Sequence, residues 1–374
     1  MVERKQLIFN ILGKRPLHKT RSSLLRKTLI HSILYSTLKI VSFTLAYERR
    51  ILELCKKSMK TAIHIYQRSE GHVVMFYSRR DFLCFYTILS VCAVKTGIKV
   101  LAVALMYDHI HILVEAGSRK EVESFVQLYS SYYSREFNTD SGLSGRLFER
   151  PFGAAVKLGE KNIRTCAGYI YNNHTNKKLC DKADEIRWNF LAYAHSRNPF
   201  SPKIVRRSAR KKLRDALAVV ESEFKAGRFL NEATLRRIFA GLTAEEKDQL
   251  TDFIIDIYRF VDYAELETLY RSYEEMVYSF NANTFNDYDI KEESWDRRGD
   301  DTVFREMAKY VLSLGKFRHL KDILTLSEDD KLELATELKV MTRATWRRIG
   351  AYLHIGIGAA TPEDTGAPPY PAFA

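Results

Sequence analysis

Two stretches of this chain carry residue types and spacings that could do chemistry. The first is Tyr107-Asp108-His109-Ile110-His111-Ile112-Leu113-Val114-Glu115. Its aliphatic surroundings predict a buried strand, and on a strand residues two apart project from the same face. His109 and His111 therefore stand side by side, with Ile110 turned the other way. Two imidazoles so placed can hold one metal ion, or they can be an inert, hydrogen-bonded pair at a sheet end. The second stretch is Ala167-Gly168-Tyr169-Ile170-Tyr171-Asn172-Asn173-His174. As a helix it stacks Tyr169 and Asn173, four residues apart, on one face. That face adjoins the apolar sector of Ile163, Ala167 and Ile170. A phenol and an amide would then be presented together to whatever the histidines hold. A lone tyrosine on such a helix can equally be core or rim.

The elements that must position these groups read clearly from residue 59 onward. A strand over 62–67 and an apolar run from Val73 to Tyr77 flank Gly71. Asp81 can cap a helix reaching Lys95, with Phe82, Phe85, Ile88, Leu89 and Cys92 at helical spacing, and Thr96-Gly97 ends it. A strand over 98–106 runs directly into the His-x-His strand, which predicts a tight antiparallel pair. A helix from Ser118 to Phe137 buries Val122, Phe125, Val126, Tyr129, Tyr132 and Tyr133. A polar loop follows over 138–145, then a strand over 146–158 made irregular by Pro151, and a helix over 161–178. This order predicts an α+β fold: a ferredoxin-like (RRM-like) antiparallel palm with backing helices and the His-x-His strand central.

Asn198 to Pro202 reads as a linker into an all-α C-terminal domain. That part opens on a basic run from Lys203 to Arg214, either a solvated helix start or a phosphate-contacting patch. Thr243 and Glu246 form a capping box. Helices are predicted over 263–280, 302–312, 327–338 and 343–354. The last two, broken at 339–342, have helix-turn-helix spacing with a basic second helix. The expected division is a basic extension over 1–58, disordered or helical, a first domain over 59–200, a helical accessory domain over 201–355, and a disordered tail over 356–374.

Lys and Arg number 59 against 46 Asp and Glu, a net charge of +13. That excess suggests a polyanion partner, but 13 of the basic and only 3 of the acidic residues lie in 1–57. Local patches therefore matter more than the total. Five cysteines without CxxC spacing argue against a disulfide framework or a zinc ribbon and fit a reducing cytoplasm. The most apolar segment, Thr28 to Tyr47, is interrupted by Lys39 and carries His31, so no membrane span is expected.

Taken together, the motifs resemble a family. YDHIHILVE looks like the His-hydrophobic-His strand of HUH endonucleases. GYIYNNHTNKKL, whose Tyr169 lies 58 residues after His111, is similar to the YIxxNPV segment of single-tyrosine transposases, including the REP-associated tyrosine transposases. GRLFERPF between them resembles the family's Gly-x-Leu-Trp/Phe segment, and IRWNFLAYAHSRNPF fits the stretch that closes these domains. The resemblance covers residues 59–195. The chain departs from it at Asn173-His174, where the family carries Asn-Pro.

The resemblance implies a metal-dependent DNA transposase. His109, His111 and Asn173 would hold a divalent ion, Mg or Mn, and no small-molecule cofactor is implied. Tyr169 would attack a phosphate of single-stranded DNA at hairpin-bearing element ends, giving a 5′-phosphotyrosine link. A domesticated, non-cutting hairpin-DNA-binding protein is the alternative. The protein would act in the cytoplasm with the nucleoid, as a monomer or a homodimer, the sequence leaving both open. Residues expected to contact DNA are Arg135, Arg146, Arg150, Arg206, Arg207, Lys211, Arg343 and Arg347, with Tyr129, Tyr132, Tyr133, Phe148 and Phe152 as candidate stacking surfaces.

Overall fold

A computed structural model describes residues 60–282 and 300–356. The basic extension, the Thr28–Tyr47 segment and the tail beyond Gly356 lie outside the described residues. In chain order the first elements are strand β1 (Thr61–Arg68), helix α1 (Arg79–Thr96), strands β2 (Lys99–Leu105) and β3 (His109–Glu115), helix α2 (Arg119–Ser141), strand β4 (Gly153–Leu158) and helix α3 (Gly159–Asn176). The four strands form one antiparallel sheet in the order β2-β3-β1-β4. The His-x-His strand is therefore central, with β2 on one side and β1 on the other.

The sheet separates two apolar layers, and the alternation of β3 assigns each residue to one of them. Ile110, Ile112 and Val114 face α1 and α2, where they join Phe85, Ile88, Leu89, Phe125 and Tyr129. Leu113, from the same side as the two histidines, faces α3 with Ile163, Ala167 and Ile170. A register shift between Val100 and Ala102 turns β2 so that Leu101 and Ala102 both enter this second layer. The apolar sector expected on α3 thus buries against the histidine face of the sheet, and that packing delivers Tyr169 to it.

Several boundaries differ from the sequence reading, each for a local reason. Ser78, not Asp81, is the N-cap of α1. Asp81 sits at the third helical position and closes a capping box, accepting from the Ser78 backbone N–H at 2.7 Å. Helix α2 runs past Phe137 to Ser141 before Gly142, at φ 68°, ends it. Its last turn is held by tertiary ion pairs from Asp140 to Lys321 and Arg236. The strand expected over 146–158 shortens to β4, and Phe148 keeps only an isolated bridge to Ser69. A cis bond joins Arg150 and Pro151 between them.

The remainder is helical: α4 (Lys211–Lys225), α5 (Glu232–Phe239), α6 (Ala244–Ile257), α7 (Tyr263–Glu267), α8 (Tyr273–Ala282), α9 (Thr302–Ser313), α10 (Glu328–Met341) and α11 (Trp346–Leu353). The single helix expected over 263–280 is two, broken after Glu267. The stretch read as a linker is pinned, because Asp252 accepts from the Phe200 N–H at 3.1 Å and the Ser201 hydroxyl at 2.8 Å. A fully buried Lys321 ties three elements together, lying 2.5 Å from Asp81 of α1, 2.5 Å from Asp140 of α2 and 3.5 Å from Glu232 of α5. Helix α11 starts at Trp346, not Arg343, because Thr345 caps it. It docks on the Val73–Tyr77 run: Val74 N–H donates to Ala351 O at 2.9 Å, and His354 Nε2 donates to Val74 O at 2.7 Å.

Candidate active site

His109 and His111 are 5% and 3% exposed, at the end of β3 that leaves the β2–β3 turn. Their rings meet edge to face, centroids 5.1 Å apart. Asp108 fixes the first ring: its Oδ1 lies 2.6 Å from His109 Nδ1. A carboxylate only accepts, so Nδ1 carries the hydrogen and Nε2 is left with its lone pair. That Nε2 is buried and has no hydrogen-bond partner among the described residues. Burial pushes the His109 imidazole below its usual range, against the pull of Asp108, and keeps it neutral. Burial alone would raise the Asp108 carboxyl; His109, with Arg68 and Arg348 beyond it, holds it well below the usual carboxylate range.

A third histidine completes the group. His64, on β1 and fully buried, places Nε2 3.1 Å from His111 Nδ1, its ring stacked on His111 at 5.2 Å. Tyr169 comes from α3, which covers the histidine face of the sheet. Its ring stands edge-on to His111 at 5.4 Å and to His64 at 6.0 Å, within the same chain. Asn173 lies one helical turn further on, buried, its amide nitrogen turned back toward the Tyr169 carbonyl at 3.4 Å. His174 donates from Nε2 to the carbonyl of Leu105, at the end of β2, at 3.0 Å. Burial pushes its imidazole down to about 3. His174, standing where the resemblance expects proline, thus ties the end of α3 to the sheet.

The arrangement is a buried imidazole pair with an open nitrogen and a phenol against it. Residues 42–173 match the family model described as IS200-like transposase. Over that stretch the chain is similar to the IS200-like transposases. The matched segment ends on Asn173, so His109, His111, Tyr169 and Asn173 all fall inside it; its first residues, 42–59, lie outside the described residues. Among solved structures the chain is similar to a REP-associated tyrosine transposase bound to a REP hairpin, at 12% identity and TM-score 0.28, over 35% of this chain and 76% of that one. No curated protein matches.

A divalent ion suits the IS200-like segment on the evidence of its donors. His109 offers a neutral, oriented Nε2 with no other partner among the described residues, which is the form that ligates metal. Among the described residues no group of three or more His, Cys, Asp or Glu forms a metal cluster. The protein donors here would be the two imidazoles and the Asn173 amide, with oxygen ligands from substrate and water filling the rest.

The basic residues named from sequence scatter. Arg135 is exposed and lies over the Tyr132 ring at 5.5 Å. Arg146 approaches Glu70 at 3.7 Å, and Arg150 is exposed beside Pro151. In the run after the linker, Arg206 pairs with Glu221 and Lys211 with Asp215, while Arg207 is exposed. Arg343 pairs with Glu306. Arg347 is exposed and borders two cavities near the site. Three of the suggested stacking aromatics are core. Tyr129 donates to Gln67 Oε1, Tyr133 donates to Met75 O, and Phe148 is 3% exposed.

Sequence reasoning missed His64 and left Asp108 without a role. His64 has no motif of its own: one histidine in the strand Ala62-Ile63-His64-Ile65-Tyr66. Only the register, which pairs Tyr66 with His111 and His64 with Leu113, brings it alongside. Asp108 could have been found from its place directly before a His-x-His, where a carboxylate commonly orients a ligating imidazole.

Among the described residues no helix is long and apolar enough to cross a membrane.

Proposed function

We infer that this chain is a DNA transposase that nicks and rejoins single-stranded DNA at hairpin-bearing element ends through a 5′-phosphotyrosine intermediate. The observation that carries the reading is the contact of Tyr169 with His111, beside His109, inside one chain. The sheet order β2-β3-β1-β4 supports a ferredoxin-like palm, with residues 59–200 as the transposase domain and 201–355 as accessory helices packed on it.

The residues divide the work. His109 and His111, with Asn173, would hold a magnesium or manganese ion, which when bound supplies Lewis-acid neutralisation of the phosphate oxygens. Asp108 keeps His109 in the tautomer that exposes Nε2, and His64 orients His111 from the neighbouring strand. Tyr169 gives up its phenolic proton to solvent as its oxygen attacks phosphorus; the new O–P bond forms, the bond to the 3′-oxygen breaks, and that oxygen takes a proton from solvent and leaves as a hydroxyl. The linkage retains a phosphodiester, so a second 3′-hydroxyl can reverse the step. A phenol, with an ordinary pKa near 10, is a better leaving group there than an aliphatic alcohol.

The test is a labelled hairpin-bearing single strand incubated with the full chain and Mn²⁺, then run on a denaturing gel. Wild type gives a protein–DNA adduct and Tyr169→Phe gives none. Cutting without an adduct points to attack by water instead, and hairpin binding without cutting to a non-cutting binder; either outcome overturns the mechanism.

A further inference from the structure

Beside the histidine pair lie two cavities that share His72 and Arg347 as walls. The first, about 380 Å³, is bordered by Tyr66, Arg68, Glu149 and Gly153. The second, about 210 Å³, is bordered by Asp108, Phe304 and Arg348. The ladder between β1 and β3 places them: Tyr66 is the cross-strand partner of His111 and Arg68 that of His109. Directly paired residues project on one face of a sheet. The first cavity therefore continues the face that carries the histidines, and the second reaches Asp108 behind His109.

Three features give this groove a chemical character. The first is charge. Arg146, Arg206 and Arg343 are matched to carboxylates, whereas Arg68 and Arg347, which both line the first cavity, take no part in the ion pairs found among the described residues. The carboxylate in that wall, Glu149, faces His72 at 3.7 Å. The second is an aromatic surface. Gly153 is the cross-strand partner of Tyr66, and a Cβ built on it would lie 1.5 Å from the Tyr66 ring. The absence of a side chain there lets the Tyr66 ring lie across the sheet edge, at the cavity wall. The third is origin. Arg347 comes from α11, 178 residues beyond Tyr169, held on the palm by the Val74 and His354 hydrogen bonds.

Cations spaced around an aromatic face match a nucleic acid backbone with an unstacked base. We propose that this groove, built jointly by the palm and helix α11, holds the single DNA strand next to the scissile phosphate, with Arg68 and Arg347 on backbone phosphates and Tyr66 stacked on a base. The proposal rests on the transposase reading and assigns to the C-terminal helices a direct share in substrate binding.

The experiment uses the full chain and a fluorescein-labelled, unstructured thymidine oligonucleotide of about 20 nucleotides, with affinity measured by anisotropy across a salt series. Arg347→Ala and Arg68→Ala should each weaken binding about five- to tenfold and flatten the log–log salt dependence by about 0.7, the value for one phosphate contact on a single strand. Arg119→Ala, which removes an exposed charge away from the groove, should change neither. Photo-crosslinking from 5-iododeoxyuridine in the strand should label Tyr66. Arg347 is exposed, so its variant is expected to fold, and Arg347→Gln with an unchanged circular dichroism spectrum guards that inference. If wild type binds and forms the tyrosine adduct while both arginine variants bind and respond to salt like it, the groove is wrong and the transposase reading stands. If wild type binds no single strand, both fall.

Discussion

Asp108 Oδ1 and His109 Nδ1 lie 2.6 Å apart, neighbours in sequence joined by a hydrogen bond at the start of a strand. The bond decides which nitrogen of His109 faces the site. Asp108→Asn can still accept from Nδ1–H, yet it removes the negative charge that makes the ring a strong donor to a cation. Such outer partners typically count for about 10- to 100-fold in metal affinity or activity. The variant should bind Mn²⁺ about tenfold more weakly by isothermal titration, and nicking should recover in part at high Mn²⁺.

Lys321 answers three buried carboxylates from α1, α2 and α5. Asp140 keeps Arg236 as a second partner, but Lys321→Met leaves Asp81, fully buried, without its cation, and breaking a buried pair in this way costs about 3–5 kcal/mol. Urea unfolding at neutral pH should register that loss.

The same cluster makes stability depend on pH. Burial, with Asp81 nearby, pushes the Glu232 carboxyl up to about 8. Its folded value exceeds its ordinary value near 4.5, so its contribution is fully present below that value and is lost as pH rises toward 8. Glu232→Gln removes the titration. The stability of the variant relative to wild type should therefore rise between about pH 5 and pH 8 and level off above, as followed by thermal unfolding at fixed ionic strength.

At the palm–α11 contact the sign reverses. Burial pushes His354 down to about 4, with its Nε2 on the Val74 carbonyl. A histidine depressed below its ordinary 6.5 stabilises when neutral, so the support is present above pH 6.5 and lost as pH falls toward 4. Amide exchange in Trp346–Leu353 should accelerate over that range ahead of exchange in β3. An equal acceleration in both would mean that α11 does not loosen by itself.

How much of this could be read in advance depended on whether the signal was local. The His-x-His strand and the tyrosine helix announce themselves, because an apolar run interrupted by two histidines and a 3.6-residue stripe each determine a face from one segment. His64 could not be found that way, since its nearness to His111 is a matter of strand register between segments 47 residues apart. Arg347 was singled out as a cation on a basic helix, but its place beside Arg68 depends on how α11 docks. The stacking role suggested for Tyr129 and Tyr133 failed for a related reason: their stripe on α2 faces the sheet, and their hydroxyls find buried acceptors at Gln67 and Met75.

The mounting of α3 has a mechanical consequence. His174 is bonded to Leu105, Asn172 donates to the carbonyl of Phe280 at 2.6 Å, and Asn189 donates to the carbonyl of Tyr171 at 3.1 Å. These three buried anchors hold the turn of α3 that directly follows Tyr169, and their partners come from three different parts of the chain. Lending the tyrosine to a second protomer would mean withdrawing all of them at once. On the proposed mechanism Tyr169 would then be a fixed post, and the strand would have to be threaded to it and carried away from it by the DNA's own freedom to move.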